Sequence, residues 1–245
     1  MSVTCPSRPP ERTPFGAGTT LLGIWAHPDD EAYCSSGLMS QVRDEGGRVV
    51  VVTATRGEHG TDDPAAWPPE RLAAVREHEL RASLAEAGVT EHRWLGHRDG
   101  ELEQIALEDG AAALLPIIAE VRPSVIVTFG PDGMTGHGDH RAVSAWTTRA
   151  WRASGRLSSL WYATLTPAFH RAWGSLNDEI GLWTGTPPVT DPAALAAEVR
   201  LAGGRLDRKH RALRAHASQT RALEALVGPE RYRQWWSTES FVAAT

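Results

Sequence analysis

Apolar and polar positions alternate along the chain in blocks that fit strands and helices in turn. Short apolar runs predict five strands, at Leu21–Trp25, Arg48–Thr55, His92–Leu95, Ser124–Phe129 and Leu160–Leu165. Helical periodicity between them predicts four helices, at Glu31–Glu45, Glu70–Ala87, Gln104–Val121 and Asp139–Ala153. Strands and helices that alternate at these spacings form right-handed βαβ units. The pattern therefore predicts an α/β, Rossmann-like three-layer fold with a mostly parallel sheet.

The pattern is weaker toward the C-terminus. Tryptophan, glycine, proline and asparagine dominate Thr166–Pro192, where we expect an irregular, lid-like segment. Asp191–Leu226 has helical periodicity with a break near Gly203. The polar, proline-rich residues 1–19 predict a disordered tail. Residues 20–245 then form a single domain.

Composition restricts the partners and the compartment. The 245 residues carry a net charge of −5 without a lysine- or arginine-rich block, which argues against nucleic acid as the main partner. No run of about 18 apolar residues occurs and the N-terminus lacks an apolar signal core, so we expect no membrane span and no secretory signal. The two cysteines, Cys5 and Cys34, exclude a disulfide framework and fit the reducing cytoplasm. A homo-oligomer is compatible with the sequence.

Two polar clusters each follow a predicted strand. Ala26–Glu31 reads AHPDDE and follows the first strand, whereas Gly136–His140 reads GHGDH and follows the fourth. In an open parallel sheet the carboxyl ends of the strands share one edge, where ligand sites form. The sequence contains no dinucleotide-binding glycine fingerprint, no Walker A motif and no serine-nucleophile elbow. We therefore expect the two distant clusters to converge into one site.

The side chains of the two clusters suit a divalent cation. Imidazole and carboxylate groups bind Zn²⁺, and a catalytic zinc keeps three protein ligands and one open position. His27, Asp30 and His140 are the natural ligand set, because a turn that enters a helix can aim His27 and Asp30 at one point. Fe²⁺ fits the same donors. The predicted cofactor is therefore Zn²⁺, with Fe²⁺ as the alternative.

The other members of the clusters can perform acid–base chemistry. Asp29 is free to take a proton from a water molecule beside the metal as a general base. His137 precedes a helix, from where it would face the substrate, stabilise an oxyanion and protonate a leaving nitrogen. Asp139 would hold His137 charged and oriented. The plain structural alternative is that Asp29 and Asp139 only cap helices.

These motifs resemble those of the LmbE-like, or PIG-L, family of metal-dependent N-acetyl deacetylases and amidases. The resemblance rests first on AHPDDE and GHGDH. Four further segments are similar to family motifs: Thr55–Glu58, Arg76–Leu80, Arg98–Gly100 and Ala215–Gln219. Gly138 is a departure, because the family often has proline there, but its exchange removes no ligand.

The resemblance implies the same metal ligands and the same general base as the chemistry of the clusters. It further implies hydrolysis of an acetamide, often on an N-acetylglucosaminyl group, and contacts from Arg56 and Asp99 to polar groups of the substrate. For His216 and Gln219 we expect a structural role. The predicted function is thus that of a zinc-dependent N-deacetylase or amidase with a small-molecule N-acyl substrate.

Other functions are compatible with parts of the sequence. A thiol-conjugate amidase or a secondary-metabolite N-deacylase would use the same residues. A carbohydrate-binding module that holds a metal without turnover would need the ligands but neither Asp29 nor His137. A nucleotide-dependent enzyme would need the missing glycine fingerprint, and a phosphoesterase usually needs more carboxylates or a second metal.

Overall fold

A computed structural model of the chain describes residues 15–245. The strands in this range are β1 (Thr20–Trp25), β2 (Arg48–Thr53), β3 (Glu91–Trp94), β4 (Val125–Phe129), β5 (Ser159–Thr164), β6 (Leu195–Arg200) and β7 (Thr238–Ala243). The α-helices are α1 (Asp30–Asp44), α2 (Pro69–Glu86), α3 (Leu107–Val121), α4 (Gly138–Ala153), α5 (Pro167–Glu179), α6 (Gly203–Ala215), α7 (Ala217–Val227) and α8 (Pro229–Trp235). Short 3₁₀ turns occur at Leu102–Gln104 and Pro192–Ala194.

The strands form one sheet in the order β3-β2-β1-β4-β5-β7-β6. Strands β1 to β5 are parallel, and β7 pairs antiparallel with both β5 and β6. The chain order reverses between β1 and β4, since β1 pairs with β2 on one side and with β4 on the other. The carboxyl ends of β1 and β4 therefore lie side by side, at the position where ligands bind in open α/β sheets.

The central strands are buried because helices cover both faces of the sheet. Strands β1, β2 and β4 are buried at nearly every position, as their continuous apolar runs predict. Helices α1, α2 and α6 pack together, and α3 packs on α4. At the carboxyl ends of the central strands, Trp25 packs edge-on against Phe129 with ring centroids 4.9 Å apart. This pair forms the apolar floor beneath the two polar clusters.

A side chain from the last strand completes helix α1. The N–H groups of Gly37 and Leu38, in the middle of α1, donate to Glu239 Oε1 and Oε2 at 2.7 and 2.8 Å. Lys209 Nζ donates to Glu239 Oε1 at 2.6 Å and to the carbonyl oxygen of Tyr33 at 2.7 Å. A Cβ atom at position 37 would lie 3.0 Å from Glu239 Oε1, so glycine permits this approach. The Glu239–Lys209 ion pair is completely enclosed, with side chains 0% and 1% exposed.

The α/β fold and its mostly parallel sheet are confirmed, and the five predicted strands lie within two residues of the observed ones. The C-terminal third differs from the prediction. Thr166–Pro192 contains the regular helix α5, which Thr166 caps by accepting a hydrogen bond from the N–H of Phe169. The start of the predicted helix Asp191–Leu226 is strand β6, because pairing with β7 overrides the helix propensity of its alanines.

The predicted tail lies mostly outside the described residues, which begin at Phe15. Phe15 packs against Trp161 with ring centroids 5.8 Å apart. The single domain at residues 20–245 stays a prediction. In residues 15–245 no helix combines the length and the apolar character that crossing a bilayer requires.

Candidate metal centre and active site

The three predicted metal ligands converge beside the reversal point of the sheet. His27 follows β1, Asp30 begins α1, and His140 lies in the first turn of α4. His140 Nε2 lies 3.2 Å from His27 Nδ1 and 3.3 Å from Asp30 Oδ1, and His27 Nδ1 lies 3.6 Å from Asp30 Oδ2. The three side chains are at most 11% exposed. One nitrogen of each imidazole and both oxygens of Asp30 therefore face one another in a buried cluster, which is called the triangle below after its three residues.

Hydrogen bonds behind the two imidazoles leave the facing nitrogens free to bind a cation. His27 Nε2 lies 3.0 Å from Asp99 Oδ1 and 3.2 Å from Asp139 Oδ2, so this nitrogen carries the proton. His140 Nδ1 lies 3.0 Å from the carbonyl oxygen of Gly133 and carries the proton for the same reason. In the neutral form of each ring, which is the form that binds a metal, the other nitrogen keeps its lone pair. Those two nitrogens are the ones that face each other and Asp30.

The triangle has the dimensions of a zinc site. Nitrogen ligands bind Zn²⁺ at about 2.0–2.1 Å, so ligand atoms in a tetrahedral site lie about 3.3 Å apart. The 3.2 Å between the two nitrogens and the 3.3 Å from His140 Nε2 to Asp30 Oδ1 match this spacing, and His27 Nδ1 lies 3.6 Å from the other oxygen of Asp30. A carboxylate behind a metal-binding histidine, as found behind His27, fixes the ring and its protonation. His27, Asp30 and His140 thus fit a divalent cation, and the choice between Zn²⁺ and Fe²⁺ stays a prediction.

Negative charge dominates around His27. Burial lowers the pKa of His27, but hydrogen bonds to Asp139 and Asp99 and the charge of Asp30 outweigh it and raise this pKa to about 10. Burial also opposes the charged form of Asp30, but His140 and His27 hold the pKa of Asp30 below its usual range. The carboxylates around the ring favour positive charge at this point, and a bound dication would supply it.

Asp139 contacts a different histidine from the one expected. Its carboxylate accepts hydrogen bonds from the N–H groups of Gly100 and Leu102 at 2.8 and 3.0 Å and lies on His27 Nε2. Its backbone N–H, by contrast, donates to His137 Nδ1 at 3.2 Å. The carboxylate therefore orients His27 and not His137, which corrects the expectation from the sequence. Nor does this carboxylate cap α4, a role that the His137 side chain takes.

Asp29 has a strained backbone that neighbouring side chains hold in place. It lies at φ 116° and ψ −30°, outside the regions that residues with a side chain usually adopt. Its N–H donates to Glu31 Oε2 at 2.9 Å. Arg76 Nη2 donates to Asp29 Oδ2 at 3.2 Å and also to the carbonyl oxygen of Pro28. Strain that the surroundings maintain in this way is typical of functional residues.

The carboxylate of Asp29 has the properties of a general base. It makes no capping hydrogen bond to α1, although Asp29 occupies the N-cap position, and it lines the central cavity. Burial raises the pKa of Asp29 to about 6, although the charge of Arg76 lowers it. A carboxylate with this pKa is ionised at neutral pH and basic enough to accept a proton in catalysis.

Glu31 and His216 form a buried link to Asp29, in which His216 has the structural position expected of it and Glu31 is a member that had no predicted role. Both side chains are 0% exposed. Glu31 Oε1 accepts hydrogen bonds from His216 Nε2 and Ser83 Oγ, each at 2.8 Å, while Oε2 holds the Asp29 N–H. Burial opposes both charges, but each partner outweighs it, so the pKa of Glu31 is lowered and that of His216 is raised. Arg76, Glu31 and His216 all occur in the family-like motifs, which could have pointed to them.

His137 lies on the open side of the triangle. It is exposed and lines the cavity, with ring centroids 5.0 Å from His27 and 5.1 Å from His140. Its Nδ1 accepts the N–H of Asp139, so the proton of the neutral ring is on Nε2. Burial and the charges of His27 and His140 lower the pKa of His137. His137 is therefore a neutral Nε2–H donor at neutral pH, whereas we had expected a charged ring.

The two predicted substrate contacts have different outcomes. Arg56 Nε donates to Glu77 Oε2 at 3.1 Å, and its guanidinium lies over the Trp94 ring at 4.8 Å. It lines a separate surface depression and not the central cavity. Asp99 does line the central cavity, but both oxygens of its carboxylate have partners in the protein. Oδ1 lies 3.0 Å from His27 Nε2, and Oδ2 accepts the His59 N–H at 2.9 Å. The expected substrate contact of Arg56 is therefore not supported by its position.

The central cavity has a volume of about 390 Å³ and two unlike sides. One side carries the polar cluster around the triangle. The other is apolar, and the name apolar wall is used below for six of its side chains, namely Tyr33, Met134, Leu182, Leu223, Trp235 and Trp236. Leu182 lies in the segment predicted as a lid, and that segment also bonds to the loop before α4 through the Thr184 N–H and the Thr135 carbonyl oxygen at 2.8 Å.

Comparison with known proteins gives matches to deacetylases. A family model described as "PIG-L: GlcNAc-PI de-N-acetylase" matches residues 22–151. A 1D-myo-inositol 2-acetamido-2-deoxy-alpha-D-glucopyranoside deacetylase from Acidothermus cellulolyticus is 34% identical over 231 residues, covering 82% of this chain and 79% of the relative. A protein of the same name from Streptomyces avermitilis is 39% identical over 142 residues, 49% of this chain and 48% of the relative. The match thus spans about half the length of that second relative.

A solved structure has the same fold. The N,N'-diacetylchitobiose deacetylase from Pyrococcus horikoshii superposes with a TM-score of 0.63 and is 22% identical. The superposition covers 92% of this chain and 84% of that chain. The α/β architecture is therefore shared over nearly the whole of the present chain, beyond the range of the family model.

Proposed function

Because this chain belongs to the PIG-L family, we propose that it is a metal-dependent amide hydrolase that removes an acyl group, in the first place acetyl, from an N-acetylglucosaminyl conjugate. The observation that carries the proposal is the triangle of His27, Asp30 and His140 beside Asp29. Two imidazole lone pairs and a carboxylate face one another there, while the Asp29 carboxylate is left uncommitted to its helix. A binding module would need the triangle but not such a base.

The residues of the site have separate tasks in this reaction. A divalent cation held by His27, Asp30 and His140 would supply Lewis acidity. Asp29 accepts a proton from the water molecule that attacks the amide carbon. His137 Nε2–H donates a hydrogen bond to the carbonyl oxygen as it gains negative charge. Asp29 then returns the proton to the leaving nitrogen, so that amine and carboxylic acid are released.

Several elements support the positions of these groups. Glu31 and Arg76 hold the strained peptide of Asp29, and Asp139 holds His27 from behind. The proposal includes Zn²⁺ as the metal and a small-molecule N-acyl substrate. A cytoplasmic location stays a prediction from the sequence.

The test is a hydrolysis assay with protein reconstituted with Zn²⁺ or with Fe²⁺. N-acetylglucosamine and its inositol conjugate are incubated with each form, and both acetate and primary amine are measured. We expect equal amounts of the two products, with loss of activity on chelation and recovery on metal addition. No product from either compound, or product formation that a chelator does not affect, would contradict the proposal.

A further inference from the structure

The apolar wall consists of packed aromatic and aliphatic side chains that line the same cavity as the triangle. Trp235 and Trp236 pack with ring centroids 5.1 Å apart, and Tyr33 packs on Trp236 at 5.1 Å. The Tyr33 hydroxyl is hydrogen-bonded to the Tyr232 hydroxyl at 2.8 Å, so this polar group is already engaged. Aromatic rings fixed in this way form a rigid apolar surface on one side of the cavity.

Polar side chains around the same cavity are largely bound to the protein itself. Arg76 donates to the carbonyl oxygens of Gly57 and Pro28 and to Asp29. The Gln219 amide nitrogen donates to the carbonyl oxygen of Gly60 at 3.1 Å. Both oxygens of the Asp99 carboxylate are engaged as well. Hydroxyl groups of a second sugar or a polyol that lay against the carbon atoms of the wall would lose their water partners, which is unfavourable.

We propose that the physiological substrate carries an apolar group next to the reacting amide, and that this group occupies the apolar wall. The inference rests on the proposed function and narrows its substrate class. The wall and the catalytic cluster line one cavity, so a molecule whose amide lies at His137 and Asp29 can reach the wall without leaving that cavity. An alkyl or aryl group there removes apolar surface from water on both molecules. The group can belong to the acyl part or to the amine part of the substrate.

Two series of compounds of increasing chain length show whether the apolar group belongs to the acyl part or to the amine part of the substrate. One lengthens the acyl group of N-acyl glucosamines from acetyl to hexanoyl, and the other lengthens the aglycone of alkyl N-acetylglucosaminides from methyl to hexyl. We expect kcat/KM to rise about fourfold per buried methylene in one series. A rise in the first series assigns the apolar group to the acyl part, and a rise in the second assigns it to the amine part. Flat or falling values in both series would overturn the inference.

Two leucines on helix α7 test whether the dependence of kcat/KM on chain length comes from the apolar wall. Leu223 and Leu226 both lie on α7, but Leu223 lines the cavity whereas Leu226 is 72% exposed. We expect Leu223→Ser to reduce the ratio of kcat/KM for the longest and the shortest substrate about tenfold. Leu226→Ser should leave this ratio unchanged. Equal ratios in the two variants would show that the preference does not come from this surface.

A binding measurement separates this inference from the proposed function. Calorimetric dissociation constants of the same compounds are measured with the metal-loaded Asp29→Asn protein, where no turnover is required. If no compound is hydrolysed by the unchanged protein but affinity still rises with chain length, the proposed function fails and the inference stands. If short compounds are hydrolysed while affinity and kcat/KM are independent of chain length, the inference fails and the proposed function stands.

Discussion

Residues 22–151 and residues 152–245 contribute to one cavity in different ways. The first region matches the family model and contains the triangle, Asp29 and His137. It is built on parallel strands whose carboxyl ends lie side by side. The second region contains the antiparallel strands β6 and β7 and the helices α5 to α8, and it supplies Leu182, Leu223 and both cavity tryptophans. The proposed metal ligands and acid–base residues thus all lie in the first region, and most side chains of the apolar wall lie in the second.

The two regions are nevertheless joined at buried charges. His216 from the second region binds Glu31, which in turn holds the N–H of Asp29. Glu239 from β7 binds N–H groups inside α1, the helix that begins with Asp30. The two regions therefore contribute different side chains to the cavity, but they depend on each other for stability. Substitutions in each region test where this division holds.

The largest effect is expected within the first region, at Asp29. Asp29→Asn should lower kcat about 10²- to 10⁴-fold, because the amide cannot accept the proton of the attacking water. Asparagine tolerates positive φ, so metal content and melting temperature should be unchanged. Steady-state kinetics and metal analysis check this, with exposed Asp62→Asn as the matched control. Full activity in Asp29→Asn would exclude Asp29 as the base.

A large loss of stability is expected from the second region, at Glu239. Glu239→Gln leaves Lys209 buried without its counter-charge and should lower the free energy of unfolding by about 3–5 kcal/mol. The matched control is Glu120→Gln, which breaks an ion pair to Arg93 whose side chains are 58% and 40% exposed. That change should cost at most about 1 kcal/mol. Denaturant titration measures the loss of free energy of unfolding in both variants. Equal losses would show that the buried ion pair contributes no more to stability than the exposed one.

A smaller effect is expected for the carboxylate behind His27. Asp139→Asn should weaken Zn²⁺ binding about 10- to 100-fold, because the ring of His27 loses its charged hydrogen-bond partner. Competition with a chromophoric chelator gives this affinity. Unchanged affinity together with an altered pH profile of kcat would instead support the original expectation that Asp139 acts on His137.

The buried link between the regions should make stability depend on pH. Burial lowers the pKa of His216, but Glu31 outweighs it and raises the pKa above the unfolded value of 6.5. The stabilisation is thus fully present below pH 6.5 and is lost as the pH rises through the raised pKa. His216→Gln keeps a donor without a titrating group, so its stability should change less with pH on the alkaline side. Denaturant titration at several pH values gives the free energy of unfolding of both proteins. If this free energy changed equally with pH in the two proteins, the prediction would be contradicted.

The smallest effect is expected at Arg56, which belongs to the first region but not to the cavity. Arg56→Ala should change KM for an N-acetylglucosaminyl substrate by less than about twofold, because Arg56 pairs with Glu77 and does not line the central cavity. A large increase in KM would mean that Arg56 leaves Trp94 to bind substrate. The first region would then contribute a polar contact to the substrate in addition to the proposed catalytic residues.

The sequence predicted the fold and the triangle where local patterns determine the structure. His27, Asp30 and His140 follow strands with strong apolar runs, so their convergence follows from the parallel topology. The contact between Asp139 and His27 could not be predicted, because it depends on backbone donors from the loop after β3. The position of Arg56 likewise depends on Trp94, a neighbour in space only.

The C-terminal elements were harder to predict for similar physical reasons. Leu195–Arg200 contains several good helix formers, yet it forms an edge strand because β7 offers a pairing partner. Strand β7 begins with the polar residues Thr238, Glu239 and Ser240, so the alternation of apolar and polar positions that indicates a strand is weak there. The Thr166–Pro167 pair is a local helix-start signal for α5, which a closer reading of capping positions would have used.

The dependence of α1 on Glu239 has a consequence for biosynthesis. A growing polypeptide is made from its N-terminus and begins to fold before it is complete. Helix α1 is made before most of the fold, but the acceptor for its Gly37 and Leu38 amides is Glu239, which follows them by 202 and 201 residues. The helix that begins with Asp30 can therefore reach its final hydrogen bonding only after β7 has been translated, so that the proposed metal site is completed after the residues of the second region that line its cavity have been made.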